Sequence, residues 1–297
     1  METQLASDPL DDAIIETCWK QLCQAERVII AAGSGMSVDA GIDYTDTDYF
    51  ARQFPAMTRR GFRSQYDLIG YQGWSEGLKW GYLAAHVDAV RFQTPPHPVY
   101  TELLDLVKEK NYFVITTNVD GMFAKSGFNE ARIFTPQGDY ASYQCLKPCT
   151  TQTWPTRPLL ERILPTINPG TQEITNPHVI PYCPNCGGPV FLNVRGGNWF
   201  VEEPYLEQGE YFAQWVDDSE THSLLIIEIG SGFNTPGVIR WPMEHIAFQH
   251  PQAHLLRVNR DYPQIPTELR GKATALQIRG RELIHALDAK NKPVQAE

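Results

Sequence analysis

The chain has 297 residues, of which 42% are hydrophobic and 20% are charged, as in an ordinary globular protein. Its formal net charge of -10 disfavours nucleic acid as a partner, because nucleic-acid-binding proteins usually present a basic face. No apolar run approaches the roughly 18 residues of a membrane-spanning helix, and the opening METQLASDPLDDAII is acidic where a secretory signal would be basic. We therefore expect a cytoplasmic protein of one large domain or two linked ones, acting without nucleic acid or membrane.

Apolar periodicity predicts helices and strands in alternation along the chain. A first helix carries a stripe that would pack on a sheet, made of Ile14, Ile15, Cys18, Leu22 and Cys23. Later helices are predicted at 78–92, 101–110 and 280–289, and strands at 28–32, 111–117, 223–230, 254–259 and 273–279. The segment 44–95 is rich in aromatic residues and glycine, which indicates a helical lid with its own core.

A glycine-rich junction follows the first strand. The apolar run from Val28 to Ala32 leads directly into Gly33, Ser34 and Gly35, after which a helix can begin. Glycines at such a turn let backbone N–H groups approach a phosphate, and a helix N-terminus favours negative charge. The spacing differs from G-x-G-x-x-G, and no acidic residue follows at the expected distance. The junction therefore predicts a dinucleotide that is bound in another manner.

Polar residues follow three further strands of the predicted sheet. Asn118 and Asp120 come after the second strand, Gly230-Ser231-Gly232 after the third, and Asn259 after the fourth. Ligands of open parallel sheets bind at the carboxyl ends of the strands, which makes these residues candidates for a binding site. Asn118 as a plain turn residue and Asp120 as a helix cap are the structural alternatives.

Four of the six cysteines have the spacing of a metal site. Cys145 and Cys149 form a first pair and Cys183 and Cys186 a second, with turn residues around the second pair. Four thiolates suit tetrahedral zinc, and a reducing cytosol disfavours disulfides. We predict a structural zinc ion, with His178 or His222 as the alternative for one ligand.

Taken in chain order, these motifs resemble those of the sirtuins, a family of NAD-dependent deacylases. The run GSGMSVDAGI, from Gly33 to Ile42, is similar to the sirtuin pattern G-A-G-x-S-x-x-S-G-I, and TTNVD at 116–120 resembles T-Q-N-I-D. The cysteine pairs, the Gly230-Ser231-Gly232 turn and the strand end Val258-Asn259 resemble the remaining sirtuin motifs.

The resemblance implies an α/β fold, a Rossmann-like parallel sheet with an inserted small zinc-binding and helical subdomain. It divides the chain into a discontinuous NAD-binding domain (1–43, 101–140 and 220–297), a helical module (44–100) and a zinc-binding subdomain with its loop (141–219).

The resemblance also implies roles for individual residues. Asp120 would hold the nicotinamide carboxamide, Asn118 would orient the ribose or a water molecule, and these two with Gln137 form the expected catalytic set. The expected NAD-binding residues are Gly33, Ser34, Gly35, Ser37, Gly41, Asp43, Asn118, Asp120, Gln137, Gly230, Ser231, Gly232, Asn259 and Arg260.

Three departures from the sirtuin pattern change the expected activity. Gln137 stands where sirtuins have a histidine that acts as general base, and an amide cannot accept a proton near neutral pH. Arg195-Gly196-Gly197 replaces the F-G-E substrate channel, and the stretch from Ile42 to Asp46 lacks the proline, phenylalanine and arginine of I-P-D-F-R.

The altered set resembles the microbial sirtuins whose genes accompany macrodomain proteins. That class implies an NAD-dependent protein mono-ADP-ribosyltransferase, with a lipoylated glycine-cleavage-H-like carrier as a candidate acceptor and a macrodomain protein as a candidate partner. Two alternatives remain: a deacylase that uses another base, and a sensor that binds NAD or ADP-ribose without turnover.

Two groups of side chains keep more than one interpretation. Trp199, Phe200 and Tyr205, beside Glu202 and Glu203, form either an acceptor groove or a loop packed on the zinc lobe. The isolated histidines are expected to be structural, and they are His86, His97 and His245.

Overall fold

The computed structural model describes residues 11–292, so the predictions for the first residues and for the terminal NKPVQAE lie largely outside the described residues. The strands are β1 (Arg27–Ala32), β2 (Asn111–Thr116), β3 (Ile133–Phe134), β4 (Gly138–Cys145), β5 (Trp154–Pro155), β6 (Val190–Val194), β7 (Leu224–Ile229), β8 (Ala253–Val258) and β9 (Ala273–Leu276). The α-helices are α1 (Asp12–Gln24), α2 (Ser34–Asp39), α3 (Thr47–Gln53), α4 (Pro55–Arg59), α5 (Glu76–Val87), α6 (Pro98–Val107), α7 (Met122–Lys125), α8 (Arg157–Ile163), α9 (Glu203–Asp217), α10 (Arg240–Gln249) and α11 (Gly280–Asn291).

Short helical turns complete the described chain. A π-helical turn at Asp88–Gln93 continues α5, and 3₁₀ turns lie at Tyr66–Leu68, Glu130–Arg132, Leu164–Thr166, Pro177–Val179 and Thr267–Leu269.

Six strands form a parallel sheet in the order β3-β2-β1-β7-β8-β9. Alternate residues of β1 enter different cores: Val28 and Ile30 pack on the face covered by α1, α6 and α11, while Ile29 packs on the face covered by α9 and α10. A sheet buried on both faces explains why its strands read as continuous apolar runs in the sequence. The predicted α/β fold with a Rossmann-like parallel sheet is confirmed.

A second, antiparallel sheet has the order β5-β4-β6. It shares one apolar cluster with the aromatic segment, since Phe50 and Trp80 of the helices pack in the same cluster as Val190 of β6. Cys145 and Cys183 belong to this cluster as well, so the cysteine pairs are anchored on its edge. The domain boundaries given above stay a prediction.

Each predicted helix and strand has an observed counterpart within a few residues, whereas α8, α9, α10 and the strands β3 to β6 were not predicted. One prediction for the first helix was wrong. Cys18 and Leu22 of α1 are buried against the sheet, but Cys23 is exposed, so its place in the packing stripe was wrong. The helix ends at Gln24, and Cys23, directly after the buried Leu22, falls on its exposed side. Within residues 11–292 there is no helix with the length and apolarity to span a membrane.

Candidate active site and metal centre

A cavity of about 530 Å³ lies at the carboxyl ends of β1, β2, β7 and β8. Its volume falls in the range of small-molecule sites, and this edge of a parallel sheet is where ligands bind. The predicted residues among those that line it are Ser34, Gly35, Ser37, Asp43, Asn118, Asp120, Gly230, Gly232, Asn259 and Arg260. Residues predicted from four separate motifs thus converge on one cavity.

Two of the glycines serve a different purpose from the one predicted. A Cβ atom on Gly33 would lie 2.6 Å from the carbonyl oxygen of Gly230, and one on Gly35 would lie 2.7 Å from its Cα. Gly230 itself has a φ of +63° and meets the Gly35 backbone in the same way. The glycines of the two loops therefore permit contact between the backbones that follow β1 and β7. The Gly35 N–H also donates to the Gly230 carbonyl, at 3.1 Å.

Asp120 is buried and both of its carboxylate oxygens are engaged. The Ser37 hydroxyl donates to Oδ2 at 2.6 Å, and the Met122 N–H donates to Oδ1 at 2.9 Å. The second bond is the helix-capping contact of the structural alternative, but the first joins two motifs that lie far apart in the sequence. Burial raises the pKa of Asp120 despite these hydrogen bonds. A carboxyl group held in a cavity at this energetic cost marks a candidate functional group.

Asn118 is held by the loop that follows β1. Its side-chain Nδ2 donates to the Gly33 carbonyl at 3.0 Å, and its backbone N–H donates to the Thr116 hydroxyl oxygen at 3.1 Å. The side chain is 9% exposed and lines the cavity beside Asp120. These contacts fix the amide on the cavity wall, so Asn118 is more than a residue of a free turn.

Four predicted site residues do not line this cavity. Ser231 is buried, and its hydroxyl donates to Glu228 beneath the loop. Gly33 packs against the Gly230 backbone, as described above. Gly41 lies in the turn after α2, where it has a φ of +82°. Gln137 lies outside the cavity lining, 9% exposed, in the turn between β3 and β4. Asn259, in contrast, does line the cavity, and its Nδ2 donates to the Ser231 carbonyl at 2.7 Å.

Arg195 contacts the turn that contains Gln137, and the sequence analysis gave this arginine no role. Its N–H donates to the Gln137 carbonyl at 2.9 Å, and its Nε donates to the Pro136 carbonyl at 3.2 Å. Its guanidinium also pairs with Glu202 at 2.7 Å and lies over the Phe200 ring, 4.4 Å from the centroid. A cation next to Gln137 was foreseeable only once β6 was known to pair with β4.

A second cavity, of about 640 Å³, adjoins the first, and Tyr44 and Ile69 line both. We call the first the sheet-edge cavity and the second the aromatic cavity. The walls of the aromatic cavity include the rings of Tyr44, Tyr71, Trp74, Tyr82, His86, Tyr140, Phe191 and Trp199, with Lys79 and Arg195 as its cations. Trp199 therefore faces a cavity, whereas Tyr205 is buried with its hydroxyl on Asn193.

His86 lies at the inner end of a chain of polar groups in the aromatic cavity. The Tyr44 hydroxyl is 3.2 Å from the Tyr140 hydroxyl, which is 3.3 Å from Nε2 of His86. His86 stacks on Tyr82 and is fully enclosed, and burial lowers its pKa to about 4. Its neutral ring is thus a structural group, as predicted.

We expect His86 to make the protein sensitive to acid. Its folded-state pKa lies below the value of about 6.5 in an unfolded chain, so the unfolded state binds the proton first as the pH falls. The wild-type protein should lose up to roughly 3 kcal/mol more unfolding free energy than His86→Gln between pH 6.5 and pH 4. Urea unfolding at several pH values measures this difference, with His245→Gln at an exposed site as the control. Parallel pH dependences of wild type and His86→Gln would contradict it.

The four cysteines of the predicted metal site come together as a compact group. Their sulfur atoms all lie within 4.8 Å of one another, with 3.7 Å between Cys145 and Cys186 and 3.6 Å between Cys149 and Cys183. Tetrahedral zinc with Zn–S bonds near 2.3 Å requires about 3.8 Å between sulfurs, so the thiols are positioned to bind zinc. Among the described residues this group contains cysteines alone, without His178 or His222.

Backbone turns fix the second cysteine pair. The Cys183 N–H donates to the Gly188 carbonyl at 2.7 Å, and the Gly188 N–H approaches the Cys186 sulfur at 3.4 Å. Asn185 donates to the Cys149 sulfur at 3.2 Å, and this hydrogen bond lowers the thiol pKa of Cys149 to about 7. Four sulfur ligands leave no open position for a substrate, which suits a structural metal.

Comparison with solved structures identifies the architecture. A Sir2 homologue in complex with NAD superimposes with a TM-score of 0.61 at 17% identity, and the match covers 98% of this chain and 96% of that one. The chain has the sirtuin fold.

Two relatives in sequence are named for ADP-ribose chemistry. A protein of Fusarium oxysporum f. sp. cubense named "Probable bifunctional ADP-ribose hydrolase/ADP-ribosyltransferase" is 36% identical over 244 residues, which are 80% of this chain and 41% of that protein. The "Protein ADP-ribosyltransferase" of Staphylococcus aureus is 26% identical over 264 residues, 85% of this chain and 80% of its own length. The sirtuin-fold chain thus spans less than half of the fungal relative. No protein-family model matches this chain.

Proposed function

We propose that this sirtuin-fold chain is an NAD-dependent protein mono-ADP-ribosyltransferase that releases nicotinamide. The observation that carries the proposal is the convergence of Asn118, Asp120 and Ser37 in the sheet-edge cavity. Gln137, the amide at the position of the expected general base, does not line this cavity. The names of the fungal and staphylococcal relatives support the same reaction class.

The residues of the cavity fit NAD as a substrate. Asp120 and Asn118 are buried polar groups fixed on the wall, and they would hold the carboxamide and the ribose of the nicotinamide half. Asn259 and Arg260 lie at the end of β8 and would contact the other half. The other predicted NAD-binding residues that line the cavity would contact the part of NAD that lies between its two ends.

The reaction proceeds as a displacement at C1′ of the ribose. The bond from C1′ to the nicotinamide nitrogen breaks, and its electron pair leaves with nicotinamide. A nucleophilic atom of the acceptor protein forms the new bond to C1′ from the opposite face. An acceptor that is already anionic loses no proton in this step, so the reaction does not require a base at position 137. Zinc bound by the cysteines would hold the β4–β6 lobe together without entering the chemistry.

The aromatic cavity is the proposed entry for the acceptor. It meets the sheet-edge cavity at Tyr44 and Ile69, and its wall combines flat apolar rings with the cations of Lys79 and Arg195. Such a wall suits an extended side chain with an apolar stem. A lipoylated glycine-cleavage-H-like carrier is a candidate acceptor of this kind, and a macrodomain protein is a candidate partner.

Labelled NAD tests the proposed function. We expect label from the adenylate of NAD to appear on a protein when purified enzyme is added to a lysate, together with free nicotinamide. Incubation with acyl-lysine peptides and NAD tests the deacylase alternative, and rapid deacylation would overturn the proposal. Tight binding of NAD without any turnover would instead indicate a sensor.

Gln137→His should not create an efficient deacylase. An imidazole regains a pKa near 6.5, but an acyl-lysine must also lie extended beside the ribose, and misplacement by about 1 Å costs on the order of 100-fold in rate. Arg195-Gly196-Gly197 lacks the phenylalanine that the F-G-E stretch would place beside the acyl-lysine. Deacylation rates of Gln137→His and of the control Gln137→Asn should both stay near background. Brisk deacylation by the histidine variant alone would mean that the missing base was the only barrier.

A further inference from the structure

Three charged side chains are buried beneath the loops of the sheet-edge cavity, and a fourth, that of Glu244, is 18% exposed beside them. Glu228 on β7 and Arg257 on β8 are register partners, and their side chains pair at 2.7 Å with exposures of 1% and 0%. Arg257 also pairs with Glu244 of α10 at 2.8 Å, and the Arg240 guanidinium lies 3.9 Å from Glu228. We call these four residues the buried charge network.

Arg240 connects this network to both loops. Its Nη1 donates to the Tyr262 carbonyl at 3.0 Å and contacts the Ser231 carbonyl at 3.5 Å, while its Nη2 donates to the Gln264 carbonyl at 2.9 Å. Its guanidinium also lies over the Phe233 ring, 4.5 Å from the centroid. One side chain therefore holds the segment after β7 and the segment after β8 in a fixed relation.

The two loops present aromatic rings at the cavity. Phe233 and Tyr262 both line it, are 52% and 45% exposed, and meet edge to face with 5.3 Å between their centroids. Arg240 contacts the first ring and the backbone of the second residue, so the relative position of the rings depends on this one guanidinium.

Stability alone is a weak reason for such a network. Burying charges costs desolvation energy, and apolar replacements of buried ion pairs are often neutral or stabilising. Here each cation instead serves backbone carbonyls of the cavity loops, since Arg257 also donates to the Gln264 carbonyl at 2.6 Å. The arginines of the network therefore hold the backbone of the loops that form the cavity.

We propose that Arg240 is a positioning residue for the ligand of the sheet-edge cavity. With Glu228 and Arg257 it fixes the loops 230–234 and 259–264, and thereby the ring pair of Phe233 and Tyr262, before the ligand enters. The inference rests on the proposed function only in taking that ligand to be NAD, and ADP-ribose serves as the probe that needs no turnover.

The test measures binding and turnover separately in Arg240→Met and Arg240→Lys. Arg240→Met should raise the Kd for ADP-ribose, measured by calorimetry, and the KM for NAD by on the order of tenfold, with kcat within about twofold. Arg240→Lys keeps the charge and reaches fewer carbonyls, so it should fall between wild type and Arg240→Met. Phe233→Leu, at an exposed position that tolerates change, should raise both constants as well and covers the case in which Arg240→Met does not fold.

Arg27→Lys is the matched control. Arg27 also donates to a backbone carbonyl, that of Trp215, and lies over an aromatic ring, but at the other end of β1. It should lower the Tm without changing the KM or the Kd. The inference would be overturned if Arg27→Lys and Arg240→Lys raised the Kd for ADP-ribose and the KM for NAD equally. Unchanged Kd and KM values in both Arg240 variants and in Phe233→Leu would overturn it as well. ADP-ribose binding without transfer in wild type would refute the proposed function and leave this inference standing.

Discussion

Asn118→Ala should reduce the transfer of ADP-ribose by on the order of 100-fold or more. The Asn118 side chain lies on the wall of the sheet-edge cavity, where its Nδ2 donates to the Gly33 carbonyl at 3.0 Å. The alanine variant removes the only amide that the proposed mechanism places at the reacting ribose, and it also frees the loop that follows β1. Both effects act on C1′, whichever nucleophile attacks it. Label transfer and nicotinamide release, measured together, report the loss.

The control for this variant is Asn129→Ala. Asn129 caps the 3₁₀ turn Glu130–Arg132 through a bond of 3.1 Å to the Ala131 N–H, away from both cavities. Asn129→Ala should retain wild-type transfer, while the melting curve of Asn118→Ala establishes that it is folded. Full transferase activity in folded Asn118→Ala would place the catalytic centre elsewhere.

The sequence allowed prediction of the parts of the fold that depend on local pattern. The run from Val28 to Ala32 is apolar at every position because both faces of β1 are covered, and such a run is recognisable without a structure. Asn118 and Asp120 follow a strand, so their place at the sheet edge follows from the rule for parallel sheets. The cysteine spacing similarly predicted a compact sulfur group.

The rest depends on contacts between segments that are distant in the sequence. Gly33 and Gly35 resemble a phosphate loop, but the neighbour that requires them is Gly230, which arrives only through the pairing of β1 with β7. Ser231 was predicted as an NAD-binding residue from its place in the turn, but its hydroxyl donates to Glu228, whose carboxylate is paired with Arg257. No pattern within one segment contains this information.

The same limit applies to the aromatic cavity. Its rings come from the segment 44–74, from α5, from β4 and from the segment around β6, and each set looks like ordinary core on its own. Arg195 is one example. In the sequence it indicated only that the F-G-E substrate channel is lost, whereas the pairing of β4 with β6 places it on the Gln137 turn. The aromatic cavity is therefore formed by segments that are distant in the sequence, and a pattern within one segment does not predict it.

Cys183→Ser should remove the metal and destabilise the lobe formed by β4 and β6. Cys183 is 2% exposed, lies in the apolar cluster of that lobe, and has its sulfur 3.6 Å from that of Cys149. A serine hydroxyl is a far weaker zinc ligand than a thiolate, and binding energy at a structural zinc site is folding energy. We expect a loss of at least about 3 kcal/mol of unfolding free energy, or a fall in Tm of roughly 6 to 12 °C.

Metal analysis and thermal melting check this expectation, with Cys23→Ser as the matched control. Cys23 is exposed near the end of α1 and is not part of the four-sulfur group, so Cys23→Ser should keep one zinc ion per chain and the wild-type Tm. Cys183→Ser should lack zinc and give a lower folded yield. Transfer by the residual folded fraction should persist per molecule, because the proposed zinc takes no part in the reaction at C1′. Freshly reduced wild-type protein without zinc, or Cys183→Ser with unchanged zinc content and Tm, would contradict a structural metal at this group.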